Sequence, residues 1–83
     1  MFKIKFDTIE QVKLFVKEME HLDYDSIIRT VNRQYAVDAK SLMGIFSLDL
    51  TDYLLLSVYG DVTGLEDKIK ALGIFVEVIN EEE

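Results

Sequence analysis

Ser41 stands between Lys40 and the run Leu42-Met43-Gly44-Ile45-Phe46-Ser47-Leu48. A serine at the head of a short helix accepts hydrogen bonds from the free N–H groups of the turn that follows. Leu42, Met43, Ile45, Phe46 and Leu48 wrap most of the way round such a helix, so it must be buried or meet a partner. His21 is the single histidine; near the far end of a helical pattern it reads as a half-exposed side chain. The chain has no cysteine, hence no disulfide framework, thiolate chemistry or sulfur-built zinc site. Asp23, Asp25, Asp49, Asp52, Asp61 and Asp67 lack the ligand spacing of a calcium loop. There is no phosphate-cradling glycine loop and no nucleophile with a base in sequence reach. These residue types predict no enzyme, no metal and no cofactor.

The elements that must position Ser41 follow from periodicity. Phe2, Ile4 and Phe6 alternate with Lys3 and Lys5, a strand with one wet face. Asp7 or Thr8 then caps a helix, and Thr8-Ile9-Glu10-Gln11 has capping-box spacing. Ile9, Val12, Phe15, Val16, Met19 and Leu22 recur with helical period, which predicts an amphipathic helix from about residue 9 to 21. Tyr24 to Val31 reads as a second strand, Asn32-Arg33-Gln34 as a turn, and Tyr35, Val37 and Ala39 as a short third strand. The Ser41 helix stops near Asp49. Tyr53 to Tyr59 is apolar on both faces and therefore a central strand. Thr63-Gly64-Leu65-Glu66 has the spacing of a second capping box, opening a helix that carries Leu65, Ile69 and Leu72 and ends at Gly73 as its C′ residue. Ile74 to Ile79 is rich in strand-favouring types. As an edge strand it buries Ile74, Val76 and Val78, or their alternates, lies beside the first strand, and is open to pairing with a second copy as a homodimer. Glu81-Glu82-Glu83 reads as a solvated tail.

Eighty-three residues without linker, repeat or proline make one domain, residues 1–83. An apolar fraction of 49% supports a packed core, and 11% aromatic residues argue against disorder. The net charge is −7, with nine basic residues, so the surface repels phosphate backbones and anionic bilayers. Neither nucleic acid nor membrane is an expected partner. Aromatic residues are not interleaved with a basic stripe along the chain, so no stacking platform for single strands suggests itself. No apolar run approaches ~20 residues and no signal peptide opens the chain, which reads as cytoplasmic.

Val37-Asp38-Ala39-Lys40-Ser41-Leu42-Met43-Gly44-Ile45-Phe46-Ser47-Leu48 resembles the regulatory-serine segment of HPr, the small phosphocarrier of the bacterial sugar phosphotransferase system. The family pattern there is close to V-N-A-K-S-[IL]-M-G-[VIL]-[MF]-S-L. The rest of the chain fits in length and element order, β-α-β-β-α-β-α, and only weakly in residues. The resemblance implies an α+β fold, an open-faced β-sandwich with an antiparallel sheet and helices on one face. Residues 74–79 depart from it, since the family's third helix normally closes the chain. It also implies that Ser41 is the residue phosphorylated by a dedicated kinase, with Leu42, Met43 and Phe46 as a protein-docking surface. Lys40 adds one cation beside that serine. A phosphate at a helix N-terminus meets free N–H groups and the helix dipole.

One departure from the family pattern matters most. The family's carrier loop, G-[IL]-H-A-R-P, lies between the first strand and first helix. Here Glu10 matches the phosphohistidine and Val12 the arginine, and no His, Arg or Pro occurs from Met1 to Leu14. By itself Glu10 is an acid in a first helical turn, favoured by the dipole. The chain is similar to the catabolite-repression homologue of HPr, which lacks the histidine and keeps the serine, although that homologue keeps the arginine. The expectation is a non-carrier regulatory protein acting through protein contacts, with an HPr kinase or a transcriptional regulator as partner. Two alternatives stand beside it: a structural or assembly module whose serine is only a cap, and an unconventional phosphocarrier using His21 or Glu10.

Overall fold

The computed structural model describes residues 1–79; the Glu81-Glu82-Glu83 tail lies outside the described residues. Strand β1 (Phe2–Lys5) turns Phe2 and Ile4 inward, as the alternation requires. Helix α1 (Ile9–Met19) starts at Thr8, whose Oγ1 accepts from the Gln11 N–H at 3.1 Å while Gln11 Oε1 accepts from the Thr8 N–H at 3.3 Å. This is the expected reciprocal capping box. Val12, Phe15, Val16 and Met19 are buried along one stripe. Ile9 is not: it is 62% exposed, at the rim of the core beside Leu50 and Thr51. The helix also ends two residues before the predicted residue 21. Glu20 is its C-cap, and the His21 and Leu22 N–H groups close short turns onto Glu18 and Met19.

Strands β2 (Ser26–Thr30) and β3 (Ala36–Asp38) form an antiparallel hairpin with Ile28 opposite Val37. Its turn manages without Asn-Gly. The Asn32 side chain accepts from the Gln34 N–H at 3.0 Å and the Thr30 hydroxyl at 2.6 Å, and Arg33 takes the left-handed position at φ 62°. Helix α2 (Leu42–Phe46) is followed by β4 (Leu54–Val58), α3 (Leu65–Ala71) and β5 (Phe75–Val78). Helix α2 stops three residues short of Asp49, because the Ser47 hydroxyl donates to the Gly44 carbonyl at 2.6 Å and ends the turn.

The five strands form one sheet in the order β3-β2-β4-β1-β5, antiparallel at every pairing. Strand β4 is central and buries Leu54, Leu55 and Leu56, as its two-sided apolar pattern implies. One core cluster joins Phe2, Ile4, Ile28, Leu56 and Val76 of the sheet to Phe15 of α1, Ile45 of α2 and Ile69 of α3. All three helices therefore cover the same face. The described residues form an α+β fold: a five-stranded antiparallel open sheet with three helices.

Two expectations for the C-terminal third are resolved differently. The second capping box does not form. Thr63 donates its N–H and hydroxyl to Asp61 Oδ1 at 2.9 and 2.6 Å, and α3 starts instead from Gly64 at φ 78° with no side-chain cap. The nearer carboxylate captures the threonine, and only glycine enters that left-handed conformation without strain. The extra strand does form. Gly73 closes α3 at φ 82°, and β5 pairs with β1 with Val76 opposite Ile4. Ile74 and Val76 are buried, whereas Val78 is 55% exposed at the edge of the core face.

Candidate functional site

The Ser41 side chain acts as read from the sequence. Its Oγ accepts from the Gly44 N–H at 3.0 Å, and its backbone is extended, as an N-cap requires. Gly44 permits the arrangement: a Cβ there would stand 3.0 Å from Ser41 Oγ and 3.1 Å from the Val37 Cβ. The glycine thus lets α2 lie against β3 and keeps the cap short. Ser41 itself is half-buried.

The apolar wrap divides unequally. Ile45 and Leu48 enter the core, Leu42 and Phe46 are half-buried against it, and Met43 is 76% exposed. Of the predicted surface Leu42, Met43 and Phe46, Met43 alone is mostly solvent. A helix of five residues can hide most of a circumference when one side meets the sheet and another meets α1. An exposed thioether is an adaptable contact group.

Lys40 is a correction to the electrostatic expectation. Its ammonium donates to the Leu22 carbonyl at 2.8 Å, in the turn after α1, and its backbone N–H donates to Asp38 Oδ1 at 2.9 Å. The charge beside Ser41 is thus offset by a carboxylate, and the cation is engaged with a backbone acceptor. This bond ties the start of α2 to the C-terminal end of α1. Glu10 lies in the first turn of α1, about 14 Å along the helix from its C-terminal end. It is exposed and has no ion-pair partner among the described residues. His21 is also exposed, at the end nearer Ser41. The candidate positions are therefore not gathered into one pocket.

A second surface was not legible in the chain order. Sheet pairing brings Lys3, Lys5, Arg29, Tyr53, Phe75 and Glu77 onto the face that no helix covers. Tyr53 and Phe75 meet edge to face at 5.5 Å, and the Lys3 ammonium lies 4.4 Å from the Tyr53 ring centroid. Aromatic and basic groups that are separate along the sequence are interleaved in space. Leu55 lies beneath them, buried yet outside the main core cluster. The signal was available in the alternation of each strand, but the strand order was needed to assemble it.

Among the described residues no three His, Cys, Asp or Glu side chains converge as metal ligands, and no helix is long and apolar enough to cross a membrane. Compared with protein-family models, with curated proteins and with solved structures, the chain has no match.

Proposed function

We propose that this chain is a non-carrier, HPr-like regulatory protein related to the bacterial sugar phosphotransferase system, acting through contacts at the Ser41–Phe46 helix. The observation that carries the reading is Met43, turned into solvent two residues after a helix-capping and partly accessible serine. A large, adaptable apolar side chain presented on a short helix suits a partner protein better than a small ligand. Glu10, which has no ion pair among the described residues, supports the loss of phosphocarrier chemistry, since no arginine stands between Met1 and Leu14 to hold an acyl phosphate there. Ser41 is the candidate phosphorylation site on this reading, and a cytoplasmic setting goes with it. A phosphoryl group on Oγ keeps acceptor oxygens near the Gly44 N–H, while Asp38 opposes it.

The test has two arms. An HPr kinase with ATP should label the protein at Ser41, and Ser41→Ala should remove the label. Enzyme I with phosphoenolpyruvate should transfer nothing, because the loop between β1 and α1 lacks histidine and arginine. An acid-labile, base-stable phosphoprotein after the second incubation would overturn the non-carrier reading. Absence of label in the first arm, with no bacterial protein retained by either the wild type or Ser41→Asp, would leave a structural module whose serine is only a cap.

A further inference from the structure

We propose that the helix-free face of the sheet is the contact surface of a symmetric dimer, with the two-fold axis running along the strands between β4 and β1. One row of residues across the sheet carries this contact. Arg29 lies opposite Leu55, Leu55 opposite Lys3, and Lys3 opposite Glu77. At about 4.8 Å per strand, Arg29 and Glu77 are about 14 Å apart and equidistant from the line between Leu55 and Lys3. A two-fold axis along that line places Glu77 of each copy over Arg29 of the other. Leu55 and Lys3 share the remaining positions of that row, with Leu55 staying buried beneath the side chains of its own copy.

The neighbouring rows obey the same symmetry. Lys5 lies opposite Phe75, and continuing the β1–β4 and β2–β4 registers by one step sets Tyr53 beside Lys5 and Val31 beside Tyr53. The same axis places Phe75 over Val31, apolar on apolar, and Tyr53 over Lys5, ring on cation. An axis between β1 and β5 pairs Lys3 with Glu77 but leaves Arg29 without a carboxylate, and three further axes fail on charge. One through β4 sets Arg29 over Lys3, one through β1 sets Lys3 over Lys3, and one across the strands sets Arg29 over Arg29. Two sheets stacked about 10 Å apart bring long side chains of opposite charge within reach.

The monomer leaves these groups ready for such a partner. Neither Arg29 nor Glu77 has an ion pair among the described residues, and Arg29 Nε is buried without a hydrogen-bond partner. Leaving a buried cationic donor unpaired is costly, and a carboxylate from a second copy beside the guanidinium offsets its charge, although Nε itself is enclosed by its own chain. A nucleic-acid strand suits the face less well, because Glu77 lies within it and the net charge is −7. This mode differs from pairing at the outer edge of β5, which involves neither Arg29 nor the residues of β4.

Sedimentation equilibrium across about 1 μM to 1 mM protein tests the proposal, a range that covers the weak end of specific interfaces. The wild type should show a monomer–dimer equilibrium. Arg29→Glu and Glu77→Lys should each raise the dissociation constant at least about tenfold, with circular dichroism confirming the fold. An equimolar mixture of the two variants should dimerise again, since both inter-copy contacts then pair opposite charges. A wild type that stays monomeric throughout overturns the proposal. So does a dimer insensitive to Arg29→Glu, which would assign the contact to the β5 edge, or a mixture that fails to restore association while both variants remain folded.

Discussion

At the scale of single residues, Ser41 has a structural role that its chemistry made expectable. Its oxygen accepts from the Gly44 N–H at 3.0 Å, and no other side chain among the described residues accepts from that donor. Ser41→Ala should lower stability by about 0.5–2 kcal/mol, read from the urea midpoint. An unchanged midpoint would remove the cap from the account of α2. The same substitution abolishes the candidate phosphorylation, so phosphorylation must be judged by labelling and stability by unfolding. Two carboxylates show the same local logic. Asp49 and Asp61 each accept the N–H and hydroxyl of the threonine two residues on, and the threonine hydroxyl bonds chiefly hold both carboxyls below their ordinary value of 3.8. A carboxyl whose folded pKa is depressed stabilises the fold at pH above its unfolded pKa, and this contribution is lost as pH falls through the folded one. Stability should therefore decline below about pH 4, and Thr51→Val with Thr63→Val should weaken that decline. A pH profile identical to the wild type would separate these turns from acid stability.

At the scale of elements, Gln11 links the two ends of the chain. Its Oε1 accepts from the Asp7 and Thr8 N–H groups at 2.6 and 3.3 Å, and its Nε2 donates to the Gly73 carbonyl at 2.9 Å. The capping box was readable because both partners lie within four residues. The bond to Gly73, sixty-two residues away, was not. It fastens the turn that leads from α3 into β5. Gln11→Glu keeps the acceptor at the start of α1 but sets a carboxylate oxygen against the Gly73 carbonyl. The expected cost is about 1 kcal/mol, with amide exchange in Phe75–Val78 accelerating more than exchange in α1. Uniform acceleration across the molecule would show that the bond does not act on β5 in particular. The false capping box at Thr63 teaches the converse. Its spacing was right, but Asp61 offered the threonine a shorter turn, and local competition of that kind is invisible to a three-residue motif.

At the scale of the whole molecule, the sheet separates two surfaces with different physics: a helix-covered core and an open face carrying opposed charges and two aromatic rings. The charge-swap mixture of Arg29→Glu and Glu77→Lys tests that face as a unit, since each variant alone should lose association and the pair should regain it. The sequence by itself determined the element order and all five strands, including the edge strand after Gly73, because periodicity, caps and β-branched runs are local properties. It also determined that Ser41 caps α2 and that no histidine or arginine stands between β1 and α1. Tertiary structure decided which apolar side chains reach water. Met43 is exposed while Leu42 and Phe46 are half-covered, and the difference depends on how α2 is rolled against the sheet and α1. It decided that the Lys40 ammonium serves Leu22, eighteen residues away, and not Ser41 beside it. It decided, finally, that Arg29, Lys3 and Glu77 share one row. Alternation places each on the outer face of its own strand, but only the pairing order β3-β2-β4-β1-β5 sets the distances between them.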